Sequence, residues 1–105
     1  MRTYQAVAEN LPKFHDLFRD HLLPIHQRHG ARLIGRWETE DSRVVAVWEY
    51  DDRTEYERIQ AEVRADPDWA AAQRHRESLP PLYTDKKDVL MTSTVSDLWG
   101  VASNP

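Results

Sequence analysis

The sequence predicts a single α+β domain built on an antiparallel sheet, and three observations lead to this fold class. The chain has 105 residues, which is the usual size of one domain and too short for two ordinary cores. Its segments switch between a period of two residues, typical of strands, and a period of three to four, typical of helices. Their order along the chain is strand, helix, strand, strand, helices, strand.

A short strand and a long helix open the chain. Residues 3–7 alternate weakly and are expected to form the strand. Over residues 11–29 apolar side chains recur at steps of three and four, which is the pattern of a helix that buries one stripe. Pro24 lies inside this helix and has no backbone N–H to donate. We therefore expect a kink or a local break near His21.

The rest of the chain supplies a hairpin, two helices and a final strand. Residues 31–40 and 44–50 predict two strands joined by a short polar turn. Helical patterns follow over residues 53–65 and 69–78. Alternation over residues 83–95 then predicts the last strand.

Polar and glycine residues mark the expected helix ends. Asn10 suits the N-cap of the first helix, and Gly30 suits the position after its last turn. Asp51-Asp52 precedes the second helix and is expected to cap it. Asp68 is expected to cap the third.

The element order predicts the split βαβ, or ferredoxin-like, arrangement, a four-stranded antiparallel sheet with its helices on one face. Residues 44–50 are apolar on both alternating faces until Glu49, so we expect both faces of this strand to be covered. The chain has no further element to cover the second face. A second copy packing sheet to sheet would do so, and the sequence therefore predicts a homodimer.

Several short motifs, in this order and spacing, resemble the NIPSNAP family of the dimeric α+β barrel group. They are Arg2-Thr3-Tyr4, the run from His29 to Trp37, the run from Val45 to Asp52, and Asp66-Pro67-Asp68-Trp69. The resemblance implies a ferredoxin-like domain over residues 1–95. It leaves residues 96–105, with Leu98 and Trp99, as a tail outside the pattern. The group also holds small monooxygenases that need no cofactor.

Composition excludes several classes of function. The formal net charge is -4, so the chain lacks the basic surface that binding to nucleic acid or anionic membranes requires. No apolar run approaches the length of a membrane span. The chain has no cysteine, which excludes thiol chemistry and is simplest to reconcile with a reducing cytoplasm. His26 and His29 are three residues apart on a helix, but no acidic residue completes a metal site, so no metal or cofactor is expected.

Histidines and aromatic residues on the apolar stripe and on the strands suggest a pocket between helix and sheet. In this hypothesis His29 and His21 act as a general base, because the imidazole pKa lies near neutrality. The residues expected to contact the ligand are Tyr4, Phe18, Trp37, Trp48 and Tyr50. The competing interpretation is that these side chains form an ordinary core with a hydrogen-bonded histidine.

Two functions therefore remain open at the level of the sequence. The first is a pocket for a small aromatic molecule, with or without oxygenase-like or isomerase-like chemistry. The second is a non-catalytic binding or interaction module. Whether the protein is an enzyme is left undecided, because fold and function separate easily.

Overall fold

The computed structural model describes residues 1–95 and contains a four-stranded sheet with helices on one face. A short 3₁₀ turn at Ala8–Asn10 follows the first strand, and a π-helical segment at Phe18–Leu22 joins the first two α-helices. The strands are β1 (Arg2–Ala6), β2 (Arg32–Glu38), β3 (Arg43–Glu49) and β4 (Tyr83–Asp88). The helices are α1 (Leu11–Leu17), α2 (Leu23–Arg28), α3 (Arg53–Ala65) and α4 (Pro67–Glu77).

The strand order in the sheet is β2-β3-β1-β4, and every neighbouring pair is antiparallel. β1 lies in the middle, where Tyr4 is paired with Val44 of β3 on one side and with Lys86 of β4 on the other. This order and direction are those of the ferredoxin-like arrangement. The predicted fold class is confirmed.

The core lies between the helices and one face of the sheet. Tyr4, Val44 and Ala46 point to this helix-facing side and are at most 9% exposed. α1 buries Phe14 and Leu17 against them, while α3 and α4 pack on α2 through a second cluster. The members of this second cluster are Ile25, Ala31, Ile59, Val63 and Ala72. Burial of these side chains fixes the helical layer over the sheet.

The break expected in the first helix is present, and it takes the form of a π turn. The π-helical residues Phe18–Leu22 include His21 and end immediately before α2, in which Pro24 is in the first turn. Because Pro24 has no N–H and its ring crowds the carbonyl of residue 20, the chain widens just before it. The π segment places Phe18 over the sheet.

A bulge in β2 interrupts the period of two that is typical of a strand. The pairing register shifts between Leu33 and Gly35, so that Leu33 is opposite Trp48 while Gly35 is opposite Val47. Beyond the bulge, Arg36 shares the helix-facing side of the sheet with Ala46. Such a shift changes the face to which later side chains point. Arg36, and not its neighbour Trp37, therefore points toward the helices.

The final strand is shorter than the sequence suggested. It ends at Asp88 instead of Val95, where Met1 and Val89 exchange two backbone hydrogen bonds of 2.7 and 2.8 Å. β4 pairs only with β1, and its ladder ends with that exchange. Met91 and Val95 are consequently exposed, although their alternation is that of a strand. The predicted tail, residues 96–105, lies outside the described residues.

Two of the expected helix caps are corrected. The Asn10 side chain caps nothing and instead donates to the carbonyl of Pro81 over 2.8 Å, which ties the start of α1 to the loop before β4. α4 is capped by Asp66, whose carboxylate accepts from the N–H of Asp68, and so it begins earlier than predicted. The cap at Asp52 is confirmed by its 2.8 Å hydrogen bond from the Glu55 N–H.

Candidate functional site

Four of the predicted site residues, Tyr4, Phe18, Trp48 and Tyr50, lie on the helix-facing side of the sheet. Phe18 and Trp48 are in contact, with their ring centroids 6.0 Å apart. Tyr4 lies farther along the same face and packs edge-to-face on Phe14 at 5.0 Å. Burial raises the pKa of the Tyr4 phenol, which keeps its hydroxyl protonated at neutral pH.

Of the predicted aromatic residues, the fold places Trp37 on the opposite face, while Tyr50 packs on the helix side against α3. Trp37 lies on the open face of the sheet, where its indole covers Gly35 and remains 54% exposed. Tyr50 packs edge-to-face on Tyr56 at 5.0 Å and accepts a hydrogen bond from Gln60. The bulge in β2 accounts for the displacement of Trp37. The expectation that it shares a pocket with Trp48 is therefore wrong.

His29 is engaged at the end of α2 through both of its ring nitrogens. Nε2 is 2.7 Å from a carboxylate oxygen of Asp66, and Nδ1 is 3.1 Å from one of Glu62. The hydrogen bond to Asp66 is the main cause that raises the pKa of His29, so the imidazolium form is favoured. An imidazolium with two carboxylate partners has no free lone pair to accept a proton. This geometry favours a structural tie between α2 and α3.

His21 lies at the surface of the π segment. Its ring is 4.7 Å from that of His75 in α4, and both side chains are exposed. They border a shallow cavity of about 130 Å³, whose other lining residues are Lys13, Asp16, Leu17, Asp20 and Leu79. His21 and His29 therefore lie in separate places and do not form one site.

Arg36 is the charged residue that the fold brings into the aromatic layer, and the sequence did not single it out. The central guanidinium carbon lies 4.4 Å from the ring centroid of Phe18 and 4.9 Å from that of Phe14. Cation–π contacts of this kind stabilise a partly buried guanidinium by roughly 0.5–2 kcal/mol. Burial lowers the pKa of Arg36, yet an arginine remains charged in proteins.

A short chain of hydrogen bonds holds one end of the guanidinium. Nη1 of Arg36 is 2.7 Å from Nδ1 of His15, and Nε2 of His15 is 2.8 Å from a carboxylate oxygen of Glu38. Since an arginine can only donate, these partners assign His15 as the neutral tautomer that donates from Nε2 and accepts at Nδ1. His15 and Glu38 thus fix the orientation of Arg36.

The opposite edge of the same guanidinium has no partner. Nε and Nη2 of Arg36 are buried, and residues 1–95 offer neither atom a hydrogen-bond acceptor. The salt bridges found among these residues do not include Arg36. Buried donors in native proteins are almost always paired, so two neighbouring unpaired donors on one charged group need an explanation.

His26 is a second buried polar group in the same layer. It is 4% exposed, and its ring lies 5.0 Å from that of Trp48 and 6.3 Å from that of Trp69. Its Nδ1 is buried without a partner among the described residues. Burial lowers its pKa to about 4, so the imidazole is neutral at pH 7. We refer to Phe18, His26, Arg36 and Trp48 as the interior cluster.

Two cavities in the described part of the chain lie away from the interior cluster. A cavity of about 270 Å³ lies beside the loop before β4, between Arg76 and Tyr83. The second is the cavity of about 130 Å³ at His21. Within residues 1–95, no group of three or more metal-ligating side chains is close enough to hold an ion. The interior cluster is therefore a set of packed side chains, of which His26 is buried and the other three are half-buried, and neither of these cavities opens onto it.

Comparison with known proteins identifies the family. The family model described as NIPSNAP matches residues 1–96. The chain belongs to the NIPSNAP family.

Solved structures of other NIPSNAP proteins share this fold. An uncharacterised NIPSNAP domain protein from Burkholderia xenovorans is 28% identical, with a TM-score of 0.75, and the match covers 90% of this chain and 92% of that one. A second, NIPSNAP-like domain protein from the same organism is 25% identical with a TM-score of 0.74, covering 90% and 84%. A NIPSNAP family protein from Agrobacterium tumefaciens, 19% identical with a TM-score of 0.75, covers 92% and 93% and shows the fold alone.

The match spans nearly the whole of this NIPSNAP domain, from β1 through β4, so the fold and the family agree. A comparison with the curated proteins finds no match to this chain. Within residues 1–95, no helix combines the length and the apolar composition that a membrane crossing requires. What this NIPSNAP domain binds has to be argued from its own residues.

Proposed function

We propose that this NIPSNAP protein is a homodimer that binds a small aromatic molecule between its helices and its sheet, at the interior cluster. The observation that carries the proposal is the presence of three buried polar atoms without partners there. They are Nδ1 of His26 and Nε and Nη2 of Arg36. The Arg36 guanidinium lies over the ring of Phe18, and the His26 ring lies next to that of Trp48. Phe18 and Trp48 are themselves in contact.

Desolvation makes these unpaired atoms costly in free energy. A buried donor or acceptor without a partner costs roughly 1–3 kcal/mol, and more when it belongs to a charged group. A bound molecule that supplies the missing partners recovers that free energy as affinity. Apolar and aromatic walls with a few placed polar groups are also the usual composition of small-molecule sites.

Binding at this place requires a local rearrangement. Phe18 is half-buried and belongs to the π-helical segment, a type of turn that is frequent at functional sites. Its ring lies over the Arg36 guanidinium at 4.4 Å. A change in the Phe18 side chain would therefore uncover the unpaired edge of Arg36 without moving the strands.

The proposal concerns binding and assigns no catalytic step. His29 uses both ring nitrogens in contacts with carboxylates, and His21 is exposed beside His75. Neither lies against Trp48, whose aromatic contacts are with Phe18 and His26. A turnover assay with aromatic substrates would extend the proposal if His26 proved essential.

The binding test uses intrinsic fluorescence in a screen of small aromatic compounds. Ligands at the interior cluster should quench Trp48, so the variant Trp48→Phe should lose most of the ligand-induced change. Trp37→Phe is the matched control, because Trp37 lies on the other face of the sheet and this variant should retain the change. A screen in which no compound changes the fluorescence or the melting temperature would reject the proposal.

The homodimer is proposed from the open face of the sheet. Trp37, Val45 and Val47 lie next to one another there, and Trp37 is more than half exposed. A second copy is the occupant that fits, because identical apolar faces complement each other in a two-fold dimer and residues 1–95 have no element left to cover them. Val47→Lys should shift the mass from dimer to monomer in analytical ultracentrifugation. The control Glu57→Lys, on the exposed side of α3, should not.

One observation favours the alternative, a non-catalytic interaction module. Four large apolar residues are exposed after β4, namely Val89, Leu90, Met91 and Val95. Exposed apolar residues that form a contiguous patch mark interaction surfaces in many proteins, and these four lie within seven residues of the sequence. The two functions differ in the screen, since an interaction module would bind no aromatic compound at Trp48.

A further inference from the structure

The unpaired edge of Arg36 identifies the chemical class of the ligand, an inference that rests on the proposed function. We infer that the ligand is an aromatic carboxylate. Its carboxylate would accept hydrogen bonds from Nε and Nη2 of Arg36, and its ring would lie against Phe18 and Trp48.

The geometry of the guanidinium supports a two-oxygen acceptor. Nε and Nη2 form one edge of the guanidinium, with two N–H groups that point the same way. A carboxylate matches such an edge with both of its oxygens, which is the strongest pairing that arginine makes. The third nitrogen, Nη1, is already bound to His15, so the free edge is the one that remains for a ligand.

The charge of the site supports an anion over a neutral molecule. Arg36 is partly buried, and no carboxylate of residues 1–95 forms a salt bridge with it. Glu38, on the same face of β2, is 2.8 Å from His15 and so does not neutralise the guanidinium directly. A partly buried cation without a counter-ion is costly, and an anionic ligand removes that cost.

Aromatic side chains surround the guanidinium, and they favour a ligand that carries an aromatic ring. Phe14 and Phe18 both lie within 5 Å of its central carbon, and Phe18 in turn contacts Trp48. A planar ring attached to the carboxylate can stack on or meet these rings edge-to-face. An aliphatic carboxylate would satisfy the charge and leave these contacts unused.

The experiment compares matched acids and amides by calorimetric titration. Benzoate, phenylacetate and 2-naphthoate are each paired with the corresponding amide, which keeps the ring and removes the charge. At least one acid should bind about tenfold more tightly than its amide, as expected for charge-assisted hydrogen bonds. Acetate and inorganic phosphate serve as non-aromatic anions and should compete weakly.

Variants at Arg36 decide whether that preference arises at the proposed edge. Arg36→Gln should bring the acid down to the affinity of the amide, while the amide binds as before. Arg36→Lys, which keeps the charge and loses the two-donor edge, should retain only part of the preference. Arg32→Gln is the control, because Arg32 lies on the open face and pairs with Glu49 and Asp51.

The outcomes separate this inference from the proposed function. Two results would reject a carboxylate ligand but not the aromatic site. One is equal affinity for acids and amides, and the other is an acid preference that remains in a folded Arg36→Gln protein. An acid preference that is absent from the dimeric wild type and appears only in the monomeric Val47→Lys variant would assign the Arg36 partner to the second copy, and would also overturn the inference. A screen without any binding would reject both.

Discussion

Replacing His26 with Phe is expected to reduce the loss of stability that mild acid causes in this protein. His26 is 4% exposed, and burial lowers its pKa from 6.5 to about 4. The unfolded chain therefore binds a proton between these two values that the folded chain does not bind. The sign follows directly: the free energy of unfolding falls as the pH drops through this window.

The size of the effect follows from the two pKa values. Between pH 7 and pH 5 the difference in proton binding at His26 lowers the free energy of unfolding by about 2 kcal/mol, and the full shift corresponds to about 3 kcal/mol. His29 acts in the opposite direction, because its pKa is raised and its contribution is present at low pH and lost as the pH rises. Comparing wild type with His26→Phe cancels the His29 contribution.

The assay is urea denaturation at pH 7 and pH 5 at one fixed protein concentration, since a dimer would make stability depend on concentration. His26→Phe keeps an aromatic ring against Trp48 and Trp69 and should lose about 2 kcal/mol less than wild type between the two pH values. His75→Phe, at an exposed position, should follow wild type. An NMR titration that gives His26 a pKa near 6.5 in the folded protein would refute the reasoning.

The remaining predictions concern the helix ends. Gly30→Ala should destabilise the protein by about 1–3 kcal/mol in thermal unfolding, because Gly30 has a φ of 103° that a side chain disfavours. Gln27→Ala, in the last turn of α2, is the control and should not show this loss. Asp52→Ala should cost about 1 kcal/mol through the lost hydrogen bond from Glu55. Its neighbour Asp51 is exposed and caps no helix, so equal losses in Asp51→Ala and Asp52→Ala would contradict the cap.

Local chemistry made several features of the fold predictable. Pro24 indicated a break in the first helix, because a proline removes one backbone hydrogen bond from its helical turn whatever the surrounding structure. Gly30 indicated the helix end, where its positive φ is found. The order of the strands and helices was sufficient for the sheet topology, because few arrangements accommodate that order.

Features that depend on distant parts of the chain were missed. The bulge near Leu33 depends on the pairing of β2 with β3, and a strict period of two could not reveal it. β4 ends where β1 has no further residue to pair with, so the alternation of residues 89–95 wrongly indicated a longer strand.

The candidate site was predictable only in part. Phe18 was singled out by the helical period and Trp48 by the expected topology, and the two rings are in contact. Arg36 and His15 are 21 residues apart in the sequence, and their contact arises only when α1 packs across β2. Nothing in the sequence distinguished Arg36 from Arg32, the other arginine of the same strand.

The most direct test of the account observes the side chains of the interior cluster while a ligand is added. In a ¹H–¹⁵N NMR titration of the protein with 2-naphthoate, the Nε–H signal of Arg36 and the indole N–H signal of Trp48 should shift together and saturate. The indole signal of Trp37, on the opposite face, should remain in place. Saturable shifts at Trp37 without any at Arg36 and Trp48, or no saturable shift at these three side chains, would contradict a binding site between the helices and the sheet.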